Sequence, residues 1–340
     1  MSKRFNPKFT SHPAGYVVWR LGLIFLCLLA VALGLYALSG VARGWSALAS
    51  SLTVLIAIPY TIGAWGVFLI DPKGTKLRQG HTKLYITAPT LFMLAVLFLG
   101  SLILGEGVIC MVMLSPIWLL SAIAGGLTVR SLHKKFINQS TFLCSSLMLM
   151  PILALIIDST TPLSTDYRQV KRAIIIDAPT EAVWSYIHHI DNITAEEGRW
   201  NLSQDVIGLP RPDAARMVGH GIGAIRTSYW GESITFEEHI TRSDFQKTLE
   251  WNFVFPNDSL QHHTDRHISP DGEVLKIQSG GYKLVALAEN KVQLVLHTEY
   301  KMTTPLNGYS ALWGELFLGD IQNNILQVIK SRSETLPHKN

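Results

Sequence analysis

The side chains with a claim to chemistry lie in the second half of the chain. Glu238 is the lone carboxylate in an apolar alternation, Ile234, Phe236, Glu238 and Ile240. If this stretch is one arm of a hairpin turning symmetrically about Glu232, Arg226 stands opposite Glu238. A charge on an apolar wall is tolerated when it is paired, so an Arg226–Glu238 cross-strand pair is expected. Such a pair can orient the polar group of an otherwise apolar ligand. It can equally be a structural ion pair, or a pair at the rim of a sheet.

Histidines raise the question of a metal. His239, His262, His263 and His267 are near one another in sequence. His262 and His263 are adjacent, and on a strand they point to opposite faces, so they do not easily share an ion. There is no HExxH, no cysteine pair and no acidic cluster beside them. No metal site and no cofactor are expected. His188 and His189, near Glu196 and Glu197, read as a polar helix end or as the mouth of a pocket. His220 sits in a glycine turn. His297 and Glu299 look like an acid–base pair, but alternation places them on a solvated face. Nucleophilic catalysis finds no support. This half has no cysteine and no GxSxG. Gly219-His220-Gly221-Ile222-Gly223 lacks the following Lys-Ser/Thr of a phosphate loop. No catalytic residue is assigned.

The elements that must position these groups follow from periodicity. Val170–Ile176 reads as a strand. Thr180 caps a short helix over 181–190, and 191–202 reads as a second, irregular helix. Strands are expected near 214–229, 233–241, 247–255, 263–268, 273–287 and 291–302, in antiparallel hairpins. In 248–255, Leu249, Trp251, Phe253 and Phe255 share a face. In 292–302, Val292, Leu294, Leu296, Thr298, Tyr300 and Met302 share one. After Pro305 the period becomes helical: Leu312, Phe317, Ile321, Ile325 and Val328 mark a helix of about 25 residues.

The first half differs in kind. Residues 1–158 carry 12 Lys+Arg against 3 Asp+Glu, a balance of +9, whereas 159–340 carry 17 against 22, a balance of −5. Five apolar spans are expected near 17–39, 48–70, 85–104, 107–129 and 142–158; each needs roughly 20 residues to cross the hydrocarbon. The first reads as a retained span rather than a cleaved signal. The basic residues alternate between loops. Lys3, Arg4, Lys8, Arg20, Lys73, Lys76, Arg78, Lys83, Arg130, Lys134 and Lys135 fall on one side and Arg43 on the other. This asymmetry predicts an inner-membrane, multi-pass chain with its N-terminus in the cytoplasm. An odd number of spans then puts the C-terminal domain on the outer, periplasmic side. The basic excess belongs to membrane topology, so no nucleic-acid partner is expected. Cys27, Cys110 and Cys144 all lie in apolar runs.

Three stretches of the second half carry a resemblance. They are Ile174-Ile175-Ile176-Asp177-Ala178-Pro179-Thr180-Glu181-Ala182-Val183-Trp184, then Gly221-Ile222-Gly223-Ala224-Ile225-Arg226 with Glu238-His239-Ile240, then Leu318-Gly319-Asp320 and Ile329-Lys330-Ser331-Arg332-Ser333-Glu334. In this order they resemble the SRPBCC or START-like superfamily, the Bet v 1-like helix-grip fold, and in particular its polyketide cyclase/dehydrase and lipid-transport branch. The resemblance covers residues 168–336. It implies an antiparallel sheet wrapped around a long C-terminal helix, with space between them.

The whole reads as an all-α transmembrane bundle of about five helices (1–158) followed by an α+β helix-grip domain. The expected function is membrane-anchored binding of a lipid or other hydrophobic small molecule. Trp251, Phe253, Leu294, Leu296, Tyr300, Phe317 and Ile321 line the expected cavity, with Arg226 and Glu238 as its polar groups. Two alternatives stand beside it. One is a cyclase, dehydratase or hydrolase using the same cavity, with Glu238 or a histidine as base. The other is a regulatory or interaction module acting on a membrane-protein partner.

Overall fold

The computed structural model describes Gly34 and residues 51–335, apart from 105–107, 137–139, 195, 232 and 265–268. The expected span at 17–39, but for Gly34, lies outside the described residues, as do Cys27, Arg43, Glu106 and His267. The chain forms two compact units. The first contains Ser51–Gly100 and Ser115–Thr160, and the second contains the chain from Thr161 together with a short stretch ending at Leu114.

The first unit is helical. A π-helical turn, Thr53–Ala57, leads into α1 (Ile58–Ile70). Then come α2 (Leu84–Leu104) and α3 (Val108–Lys135), of which the end of α2 from Ser101 and the start of α3 to Leu114 belong to the second unit. A broken run follows, Ser140–Ser146 and Leu147–Leu149, before α4 (Met150–Thr160). Three helical segments are long and apolar enough to cross a membrane by length and composition: Thr53–Ile70, Ile109–Lys135 and Phe142–Thr160. Leu84–Gly100 is a shorter apolar helix. Four of the five expected spans thus fall on apolar helices, of which three reach that length.

Small residues bring these helices together. A Cβ at Gly63 of α1 would sit 2.0 Å from the Ala122 carbonyl oxygen of α3, and one at Gly125 would sit 2.1 Å from that of Tyr60. Such close backbone approach is how helices associate where burial of apolar surface gives no advantage over lipid. Leu91, Phe98, Leu120 and Phe142 point outward. Exposed large apolar side chains of this kind suit a lipid environment. Two carboxylates of this unit, Asp71 and Asp158, are buried and have structural work. Asp71 accepts from Thr75 Oγ1, the Leu77 amide and Tyr85 Oη. Asp158 accepts from the Leu52 and Thr53 amides and from Thr53 Oγ1, satisfying donors that a helix start leaves open.

The second unit is one seven-stranded antiparallel sheet, in the order β1-β7-β6-β5-β4-β3-β2. Its strands are β1 (Thr165–Ile176), β2 (Pro212–Val218), β3 (Ile225–Trp230), β4 (Ile234–Asp244), β5 (Thr248–Val254), β6 (Leu275–Ala288) and β7 (Lys291–Thr303). Its two longer helices are α5 (Thr180–His188) and α6 (Asn307–Thr335), which is 29 residues long. β1 closes the sheet against β7, and α6 packs over both. Ile176, Val183, Ile187, Leu249, Leu326 and Ile329 form the core beneath. An antiparallel sheet with one long C-terminal helix is the arrangement that the resemblance implies.

Four expectations need correction. The strand 214–229 is two strands, because Gly219, Gly221 and Gly223 take positive φ and turn the chain between β2 and β3. The strand at 263–268 does not form; Ser259–Thr264 is a short helix, which also removes the two-faces argument for His262 and His263. The segment 191–202 is irregular, with only the bridge Ile190↔Ala215 before it and the four-residue helix Leu202–Asp205 at its end. Leu312 is 69% exposed, so the buried stripe of α6 begins further on.

Candidate functional site

A cavity of about 310 Å³ lies between the sheet and α6. That is within the range of small-molecule pockets, roughly 300–1,000 Å³, and beyond an ordinary packing defect. Its sheet wall is aromatic. Phe236 and Phe253 lie 5.9 Å apart between ring centroids, Trp251 and Phe253 6.0 Å, and Phe253 and Phe255 6.2 Å. These rings come from alternate positions of neighbouring strands, which is why they share one face. Trp313, Phe317, Ile321 and Ile325 supply the helix wall at helical spacing.

Eight of the nine expected residues are on this wall: Arg226, Glu238, Trp251, Phe253, Leu296, Tyr300, Phe317 and Ile321. Leu294 is not. It is fully buried in the core with Ile176 and Leu326, because it pairs with Ile174 and Leu284 where the sheet meets α5 and the end of α6. His188, His189 and His220 are not on the wall either. His188 Nδ1 lies 3.0 Å from the Trp184 carbonyl, and burial holds its imidazole below the usual pKa. His239 pairs with Glu237 at 2.7 Å. Glu299 is exposed and accepts from Gln169 and Ser279 on the outer face. Among the described residues no three His, Cys, Asp or Glu side chains gather as metal ligands.

The polar end of the cavity is built on β3, β4 and β6. Arg226 pairs with Glu238 in the β3–β4 register, and its Nη1 donates to Glu238 Oε2 at 2.5 Å. Ser228 Oγ donates to Glu238 Oε1 at 3.1 Å. Each carboxylate oxygen therefore accepts one of these hydrogen bonds. Each charged residue is only 4% exposed. Burial is the largest single influence and would lower the Arg226 pKa, but the charges and hydrogen bonds of Glu238 and Tyr282 together outweigh it and the net shift is upward. Tyr282 lies beneath, its ring 5.9 Å from the guanidinium carbon. Burial, opposed by Arg226, pushes its phenol up to about 12.

Beside this pair runs one rung of the sheet: Ile240, Trp251, Gly280, Thr298 and Val170. Gln322 of α6 closes it from above. Its Nε2 donates to the Val170 carbonyl at 3.1 Å and to Thr298 Oγ1 at 3.0 Å. Gln322, Ser228 and Tyr282 were not picked out from the sequence. Gln322 had a signal: it lies four residues after Leu318, three before Ile325 and seven before Ile329, so the apolar stripe of the helix carries an amide.

No family model and no curated protein match the chain. Among solved structures, it is similar to a point mutant of norcoclaurine synthase from Thalictrum flavum, at 13% identity over 49% of this chain and 96% of that one, with a TM-score of 0.30. It is similar to the Zhui aromatase/cyclase from Streptomyces sp. R1128, at 13% identity over 51% and 98%, with a TM-score of 0.32. It is also similar to a Thermobifida fusca protein, at 14% identity over 51% and 97%, with a TM-score of 0.29. The fold stated above rests on strand order and register, not on these scores.

Proposed function

We propose that the second unit binds a hydrophobic small molecule, a lipid or a compound of like polarity, between the sheet and α6. The apolar helices of the first unit would keep it at a membrane, where such a ligand already concentrates. The cavity carries this reading: about 310 Å³, walled by aromatic and aliphatic side chains, with a small polar end. The Glu238 carboxylate is held by Arg226 on one oxygen and by Ser228 on the other, which favours an orienting role over proton transfer. A tightly filled core would have favoured an interaction module instead.

The test uses the full chain purified in detergent. Its organic extract is analysed by mass spectrometry beside that of Ile321→Trp, which puts an indole into the cavity. An apolar species retained by the wild type and lost from the variant is expected. Equal extracts from two folded proteins would overturn the reading.

A further inference from the structure

The polar end of the cavity has bonding capacity that the protein leaves unused. Trp251 is 3% exposed and its Nε1–H has no acceptor. Its indole is held in place by Tyr282, with ring centroids 5.3 Å apart, and by Phe253. The donor edge lies over Gly280, since a Cβ there would be 3.1 Å from Trp251 Cε2, the carbon that bears the nitrogen. A side chain at 280 would press on that edge.

Next along the rung is Thr298, which takes Gln322 Nε2. The orientation of this amide is not arbitrary. The Val170 carbonyl can only accept, so the NH₂ must face it and Oε1 is left as the free end. Gln322 is 1% exposed and its Oε1 has no donor. Arg226 Nε, two residues away along the sheet face, likewise has no acceptor. Buried polar atoms are nearly always hydrogen-bonded, so two open donors and one open acceptor in one cavity require explanation. The charge is meanwhile balanced, because Glu238 neutralises Arg226. A carboxylate ligand would bring an unmatched charge into this end.

We propose that the ligand is uncharged and apolar with a hydroxyl group, which lies at the Trp251–Gly280–Gln322 end of the cavity. A hydroxyl accepts from an N–H and donates to a carbonyl oxygen, which matches Trp251 Nε1 and Gln322 Oε1 together. A ketone serves only the donors, and a hydrocarbon serves neither. This inference rests on the binding reading above and narrows it to a ligand class.

The experiment is calorimetric titration of the full chain in detergent micelles at neutral pH, with protein-free micelles as blank. The probes are 1-naphthol, 1-methylnaphthalene and 1-naphthoate, which share a ring system and differ in one group. The wild type should prefer the naphthol over the methyl compound by about tenfold or more, with the naphthoate weakest. Trp251→Phe keeps an aromatic ring of smaller area and loses the N–H; Gln322→Met keeps the length and loses the amide. Each should reduce the preference severalfold, read as the ratio of naphthol to methylnaphthalene affinity within the same variant. Equal wild-type affinity for naphthol and methylnaphthalene, a preference for naphthoate, or variants that keep the full preference would overturn the ligand class and leave the binding reading standing. A folded wild type that binds none of the probes, and whose extract is empty, would overturn the binding reading itself.

Discussion

Arg226 and Glu238 stand opposite one another across β3 and β4, and their side chains meet at 2.5 Å in a site where each is only 4% exposed. The pair joins two neighbouring strands and forms the inner limit of an apolar cavity. An ion pair in such a place gains little net stability, because desolvation offsets the attraction. Its loss from one side is a different matter.

Arg226→Met should leave Glu238 charged and unpaired, and destabilise the second unit by about 3–5 kcal/mol. The double change Arg226→Met with Glu238→Leu should recover most of that, since no charge is left buried. Thermal unfolding followed by β-sheet circular dichroism of the full chain distinguishes the two. A double variant as unstable as the single one would mean that shape, not charge, is what the site requires.

This pair was legible in the sequence because a hairpin has a single symmetry point and the register between 226 and 238 carries no shift. The inward face of β7 was legible from alternation over 292–302, which only the buried Val295 interrupts. What alternation cannot supply is depth. Leu294 and Leu296 are two residues apart on one face and both belong to the core, yet only Leu296 also reaches the cavity wall. The chain turn at Gly219–Gly223 was readable from its glycines. The helix at Ser259–Thr264 has no apolar period of its own and depends on tertiary context, including the Ser259–Thr235 contacts. Gln322 was missed because an amide on an apolar stripe reads as a tolerated exception until its two acceptors on β1 and β7 are seen.

The difference between core and cavity wall is measurable. Leu294→Ala removes a fully buried side chain among close neighbours and should cost about 2–5 kcal/mol. Phe317→Ala lies at a half-buried wall position, so its stability cost should be well below that of Leu294→Ala, while retention of the extracted species should fall. Unfolding midpoints and extract yields, taken together, give the comparison. Similar stability losses with undiminished retention in Phe317→Ala would place the ligand elsewhere.

Acid should loosen the segment 191–211 from α6. Arg332 donates to both oxygens of Glu197, and also to the Asp191 and Asn192 carbonyls. The hydrogen bond from Arg332 is the main cause that holds the Glu197 carboxyl below its ordinary value of 4.5. The folded state therefore binds this proton more weakly than the unfolded state does. The stability contributed is present above 4.5 and is lost as pH falls through the folded value. Hydrogen exchange in 191–211 should quicken over that window in the wild type. In Arg332→Ala it should be fast already at neutral pH and change less with acid. A wild-type segment equally protected on both sides of the window would remove Glu197 as its fastening.

Asp158 offers a test in the first unit. Its carboxylate takes the Leu52 amide, the Thr53 amide and Thr53 Oγ1, at 3.0, 3.0 and 2.7 Å. Asp158→Ala leaves two backbone donors without a partner in a buried place, so a loss of about 1–3 kcal/mol is expected. Asp158→Asn keeps acceptors and should lose less. Heat-induced loss of the helical signal, with the second unit's sheet signal as internal control, separates a local effect from a global one. Equal midpoints for Asp158→Ala and wild type would show that water reaches these amides.

Sidedness is the remaining proposal, and it rests on charge. Lys73, Lys76, Arg78 and Lys83 lie between α1 and α2, and Arg130, Lys134 and Lys135 lie at the end of α3. Both clusters belong on the cytoplasmic side if lysine and arginine govern orientation. The run from Ser140 to Thr160 then decides on which side β1 begins, and its division into Ser140–Ser146, Leu147–Leu149 and α4 makes it the critical segment. A phosphatase that is active only outside the cytoplasm, fused after Asn340, should be active, and the same reporter placed after Lys83 or Lys135 should be silent. If the C-terminal fusion is silent as well, the run does not cross, and the binding unit faces the cytoplasm.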